Sequence, residues 1–146
     1  MTALQATAEL FGSTGVDIAF LLARLLFGGV LAFMGLNHFR NADQMVPYAE
    51  AKGVPAAGLL VPLTGGLLVA GGLSIVLGVY PMLGAGAVAL FLLVSTPLMH
   101  DFWAAPETEQ QTELTQFLKN VTMLGGALVF LALASAPWPF ALGLGF

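Results

Sequence analysis

The chain has 146 residues, of which 58% are hydrophobic and 8% charged, whereas a soluble domain carries about 25% charged residues; this is the composition of an integral membrane protein. Four Lys and Arg stand against eight Asp and Glu, a net charge of −4, and no basic patch exists to support nucleic-acid binding. The absence of cysteine excludes disulfides, thiolate metal sites and thiol–disulfide chemistry by the chain itself.

The opening MTALQATAELFGSTG lacks the basic region of a secretory signal, so it is expected to stay on the mature protein. Its Leu4, Leu10 and Phe11 suit a short helix against lipid. The first span is expected over residues 16–38 and ends in the polar run from Asn37 to Asp43. Residues 40–55 then carry a weak helical pattern around Met45, Tyr48 and Ala49, closed by Gly53 and Pro55. That segment is too polar to span and reads as a short interfacial helix.

Second and third spans are expected over residues 57–79 and 82–100, with only Tyr80 and Pro81 at their junction. So short a link makes an antiparallel hairpin, because Pro81 has no N–H with which to continue a helix. Pro97 marks a kink or a stop near the end of the third span. The fourth is expected over residues 114–135. A hydrocarbon core of about 30 Å needs ~20 apolar residues at a rise of about 1.5 Å each, and all four segments reach or approach that length. The expected fold is all-α: one domain over residues 1–146, an integral membrane four-helix bundle with a short interfacial helix between helices 1 and 2.

Four crossings place both termini on one side of the bilayer, the tail face, and the two longer linkers on the other, the linker face. Arg40 and Lys52 lie in the linkers and no basic residue lies in the tails. The positive-inside rule therefore puts the linkers in the cytoplasm and the termini outside. Gly28 with Ala32, and Gly66 with Ala70, have the small-xxx-small spacing of close helix contacts, and Gly71-Gly72 and Gly125-Gly126 add smooth surface.

An ionisable residue inside a span costs about 2.5–3.5 kcal/mol on insertion scales, so each one needs a reason. Arg24 has two readings: it snorkels toward the tail face beside Asp17, or it faces the bundle interior and binds an anionic or carbonyl group. Gln116, Lys119 and Asn120 share one face of the fourth helix, with Thr112 and Met123 extending the stripe. At the same level the topology brings His38 from the first helix and His100 and Asp101 from the third. His38, His100, Asp101, Gln116, Lys119 and Asn120 thus form the candidate head-group site, and Arg24 a further intramembrane polar site. The adjacent lysine disfavours a metal at His38, His100 and Asp101, and haem ligation would need both imidazoles inward at one depth. Lys and His donors beside Phe39, Phe102 and Trp103 suit the carbonyls and flat ring of a quinone. The plainer reading is interfacial hydrogen bonding with Trp103 as an aromatic anchor.

Arg24-Leu25-Leu26-Phe27-Gly28, Gly35-Leu36-Asn37-His38-Phe39 and Tyr48-Ala49-Glu50-Ala51-Lys52-Gly53-Val54-Pro55 resemble the opening of the DoxX family. Gly71-Gly72, Leu77-Gly78, His100-Asp101-Phe102-Trp103 and Phe117-Leu118-Lys119-Asn120 continue the resemblance to about residue 133. It implies a small four-helix membrane protein and, through some relatives, an association with quinone-linked membrane oxidoreductases. Many relatives carry an acid where this chain has Leu68, a histidine where it has Gln116, and a lysine where it has His38. The resemblance thus suggests a quinone- or lipid-binding subunit of a redox complex, acting with a partner subunit or bound quinone. A non-catalytic scaffold is the alternative. A small transporter would need a homo-oligomer to form a path, and no inverted repeat supports it.

Overall fold

The structure, a computed structural model, describes residues 10–145. Among the described residues five helices follow one another: α1 (Thr14–Arg40), α2 (Ala42–Ala51), α3 (Ala57–Leu77), α4 (Pro81–Met99) and α5 (Glu107–Ala132). The helices α1, α3, α4 and α5 are each long and apolar enough to cross a bilayer, and α2 is the short helix between the first two. The all-α bundle read from the sequence is therefore the observed one. The helix expected around Leu4 lies outside the described residues; Phe11 packs on Phe20 with ring centroids 4.8 Å apart.

Hydropathy located the spans and misplaced some of their ends. The last helix starts at Glu107, seven residues before the expected 114, because its first two turns are polar. Glu107 and Glu109 sit in its first turn, where the helix dipole favours negative charge. It also stops at Ala132 rather than 135, and the Leu133 carbonyl accepts a bond from the Trp138 indole at 2.8 Å. Pro97 neither stops α4 nor ends it early, since the helix runs on to Met99.

The bundle turns its apolar surface outward as a membrane protein does: Leu26, Leu59 and Leu90 are more than 60% exposed. Its centre is a cluster of Leu31, Leu68, Val88, Ala89, Leu92 and Ala127. The closest helix pair is α1 with α3, brought together by glycine. A Cβ on Gly35 would sit 2.6 Å from the Gly65 carbonyl oxygen, and one on Gly28 would meet the Gly72 carbonyl. Gly28 and Gly35 thus face Gly72 and Gly65, two helical turns apart on each helix. The expected Gly66–Ala70 contact does not form. Gly66 faces only Phe39 and Ala70 is exposed, because a shift of one residue turns a helical position about 100° away.

At the tail face the chain after α5 folds back over the bundle. Tyr80 N–H donates to the Leu144 carbonyl at 2.7 Å and Leu142 N–H to the Leu77 carbonyl at 2.9 Å, with an isolated parallel bridge between Val79 and Leu144. Trp138 packs edge-on against Phe20 at 5.2 Å and against Phe130 at 5.9 Å. At the other end α2 lies on α3 and α4, with Ala49 packed on Ala57, Val61 and Met99.

Candidate functional site

Arg24 resolves first. It is fully buried, about 15 Å into α1 at 1.5 Å per residue, and it takes the inward reading. Its Nε donates to the Ile75 carbonyl at 3.1 Å, Nη1 to Pro139 at 2.6 Å, and Nη2 to Val76 at 2.6 Å and Phe140 at 3.5 Å. The guanidinium also lies 5.5 Å from the Trp138 ring centroid. Snorkelling beside Asp17 is not what occurs: Asp17 Oδ1 is buried without a hydrogen-bond partner among the described residues. Ile75 and Val76 supply the free carbonyls at the end of α3, where the dipole is negative. Arg24 therefore neutralises that helix end and fastens the tail to it.

The opposite half of the bundle holds a cavity of about 480 Å³, within the size range of ligand sites. Leu31, Met34, Leu68, Phe91, Leu92 and Met123 make its wall, and His38, Thr64, Ser95, His100, Lys119 and Asn120 supply its polar atoms. Each helix contributes for a local reason. Asn37 and His38 close α1, Ser95 and His100 fall at the end of α4, and Lys119 with Asn120 lies three turns into α5, whose early start pushes its polar turns past the spans.

His38 Nδ1 lies 3.0 Å from the Val61 carbonyl and 3.1 Å from Thr64 Oγ1. A carbonyl only accepts, so Nδ1 carries a hydrogen, and in the neutral ring Nε2 remains an acceptor. Thr64 turns its own hydroxyl hydrogen to the α3 carbonyls of Leu60 and Val61, at 2.8 and 2.9 Å. Asn120 is 8% exposed, and its carboxamide has no hydrogen-bond partner among the described residues. Ser95 Oγ is likewise buried and unpartnered. A buried amide or hydroxyl without a partner costs about 1–3 kcal/mol in proteins.

A second set of bonds closes the cavity at the linker face. His100 Nδ1 donates to Glu113 Oε2 at 3.0 Å. The Tyr48 hydroxyl lies 3.2 Å from Glu113 Oε1 and 3.3 Å from the Met99 carbonyl, its two acceptors. Lys52 pairs with Asp101 at 2.6 Å and lies 5.7 Å from the Tyr48 ring centroid. Burial, with the Glu113 carboxylate beside it, pushes the Tyr48 phenol above its ordinary value. The Lys52–Asp101 hydrogen bond raises the lysine and lowers the aspartate. These bonds pin α2 across the ends of α4 and α5.

Of the six residues read as one site, His38, His100, Lys119 and Asn120 line the cavity. Asp101 is drawn away to Lys52, and Gln116 turns along the helix to accept from Lys119 Nζ. Lys119 is exposed, so Asn120 is the polar residue of that helix that reaches deepest. The aromatic expectation changes too. Phe102, Trp103 and Phe117 pack edge-to-face with one another at 5.1–6.0 Å, outside the cavity, and Phe39 is half exposed. The rings at the cavity are Phe91 and Tyr48. The sequence reading did not include Tyr48, Thr64 and Ser95, which line the cavity, or Glu113, which bonds Tyr48 and His100 at its end. Glu113 carried a signal, being the acidic residue nearest the apolar part of the last helix; a serine or threonine inside a helix, as at Ser95 and Thr64, ordinarily bonds its own helix carbonyls and so gives none. Leu68, where an acid is frequent among the proteins this chain resembles, is buried in the cavity wall.

No curated protein and no solved structure matches this chain. Residues 19–101 match the family model described as DoxX, a segment running from within α1 to just past α4. With more than half the chain inside that match and the four spans in place, the protein is a multi-pass membrane protein and a member of the DoxX family.

Proposed function

We propose that the cavity at the linker-face end binds the head group of a quinone or a similar membrane lipid, and that the protein serves as a subunit beside a membrane oxidoreductase. The observation that carries this reading is the cavity's makeup: apolar walls around Asn120 and Ser95, two polar groups that no protein partner satisfies. A ring with carbonyl or hydroxyl oxygens suits them. The Asn120 amide and the Ser95 hydroxyl can donate to a carbonyl, and His38 Nε2 can accept from a hydroxyl. Phe91, Met34 and Met123 provide the flat and adaptable apolar contacts that a ring requires. A bound quinone would supply the redox chemistry, and electrons would pass to or from it through a partner subunit. We assign the linker face to the cytoplasm on the Arg40 and Lys52 bias.

The test is solvent extraction of the purified, detergent-solubilised protein followed by mass spectrometry for quinones, with Asn120→Leu as the comparison. Near-stoichiometric quinone in the wild type and little in Asn120→Leu is the expected result. Equal amounts in both would remove Asn120 from the site. A specific observation favours a second reading, a scaffold: Arg24, the only fully buried charge among the described residues, is committed to backbone carbonyls. Quinone in neither sample, with a thermally stable protein, is what the scaffold reading expects.

A further inference from the structure

We propose that the ligand is a long-tailed amphiphile whose tail leaves the cavity sideways and lies in a groove along the α3–α4 seam. This rests on the reading that the cavity takes a ring head group, and it adds what the rest of the ligand is and where it runs.

A second hollow, also of about 480 Å³, follows the outer seam of α3 and α4, lined by Leu67, Ala70, Leu73, Leu77, Leu83 and Ala87 among others. Leu67 borders both hollows, the cavity on its linker-face side and the groove on its tail-face side. The cavity wall is also open to the outside there: Leu90, Val94 and Leu98 line it and are 62%, 58% and 39% exposed. Small residues form the groove floor because α3 and α4 approach closely. A Cβ on Gly71 would lie 3.1 Å from the Gly84 carbonyl oxygen. Within the groove the Ser74 hydroxyl already donates to the Val79 carbonyl at 2.6 Å, so that group asks nothing of a ligand.

Of the two hollows, the cavity is the one with unanswered polar groups: Asn120 is more than nine-tenths buried and unpartnered among the described residues, and Ser95 Oγ is buried without a partner. α2 and the Tyr48–Glu113–His100 bonds lie across the linker-face end of the cavity. A ligand with its polar ring at Asn120 therefore has its remaining length directed past Leu67 into the groove. From Leu67 to Leu77 is ten residues, about 15 Å at 1.5 Å each, or half of a ~30 Å hydrocarbon core. That accommodates an alkyl or prenyl chain reaching from mid-membrane to the tail face.

The experiment is equilibrium dialysis of the full chain in detergent against a tail-less methoxy-substituted benzoquinone and its decyl derivative, using wild type and Ala70→Phe. Ala70 is exposed on the seam, so a phenyl ring there fills the groove without entering the core, and tail-less binding reports an intact cavity. The decyl compound is expected to bind the wild type more tightly than the bare ring. Ala70→Phe should weaken it about tenfold, equivalent to ~1.4 kcal/mol, and leave the bare ring unchanged. If Ala70→Phe leaves both affinities unchanged, or weakens both equally, the groove is not the tail site although the cavity reading stands. If neither compound binds the wild type, the head-group reading itself fails and the tail site falls with it.

Discussion

At the tail-face end Arg24 directs its donors to four backbone carbonyls, while at the linker-face end Asn120 and Ser95 are buried with no protein partner. The two ends are built from the same bundle and carry polar groups for opposite purposes. At the tail face a charge is sunk into the span and fully answered, and the chain it holds is wound tightly enough that Phe140 takes φ of +53°, a conformation bulky residues seldom adopt. Polar groups at the other end surround a space instead of filling it. Burial of a polar side chain in a membrane bundle is therefore no guide to its role until its hydrogen bonds are counted.

The contrast predicts opposite responses to polar-to-apolar substitution. Arg24→Met leaves the α3 and tail carbonyls unanswered and removes the link between them. It should cost about 3–5 kcal/mol, because several buried acceptors lose a charged donor at once and each bond to a charged group is worth about 1.5–3 kcal/mol. Thermal unfolding in detergent would show this as the largest loss of any substitution proposed here, and Arg24→Lys should recover little because one ammonium cannot reach carbonyls spread around a planar fork. A near-wild-type melting temperature for Arg24→Met would end the comparison at its stronger half. Asn120→Leu should instead change stability by no more than about 0.5 kcal/mol, or raise it, since no protein bond is lost and an unpartnered amide leaves the interior. A large destabilisation by Asn120→Leu would mean that Asn120 is structural after all.

These two ends were not equally legible in the sequence. The spans were readable because apolar length is a direct consequence of bilayer thickness, and the hairpin because Pro81 permits little else. Arg24 stood out as a charge within a span, but its partners did not: carbonyls at the end of α3 and in the tail have no side-chain signature. At the linker face the i, i+3, i+4 stripe of Gln116, Lys119 and Asn120 was visible, yet spacing cannot say which member points inward. Helix rotation settles it, placing Asn120 inside and Lys119 at the rim. The same rotation exchanged Gly66 and Ala70 for Gly65 and Gly72 as the helix contact. Asp101 was grouped with His100 because they are neighbours in sequence, but adjacent residues past a helix end point apart, and Lys52 was the nearer cation.

Between the two extremes lies the closure of the cavity by α2. Tyr48→Phe removes the hydroxyl that bridges α2 to Glu113 and the Met99 carbonyl, and Glu113→Gln removes the charged acceptor of both Tyr48 and His100. Each should cost about 1 kcal/mol, and hydrogen exchange should show the loss as faster opening of α2 amides with α3 and α4 unchanged. Uniformly faster exchange over the whole bundle would show that these bonds hold the fold together rather than covering one cavity.

Within that closure the smallest effect is expected from the Lys52–Asp101 pair, which is partly exposed at 19% and 31% of the two side chains and open to screening by salt. The lysine holds Asp101 below its ordinary value of 3.8, so the folded state binds that proton less readily than the unfolded chain. Its contribution is complete above the ordinary value and lost as pH falls through the lowered one. Lys52 is raised above its ordinary 10.5 by the same bond, so its contribution is complete below that value and lost as pH rises through the raised one. Tyr48, raised mainly by burial, adds to the alkaline loss in the same direction. A melting profile across pH should accordingly be flat through neutrality and fall at both extremes, and Lys52→Met should shallow both limbs while lowering the plateau slightly. If Lys52→Met leaves both limbs unchanged, the pair is a surface contact that does not hold α2, and the closure of the cavity depends on Tyr48 and Glu113 alone.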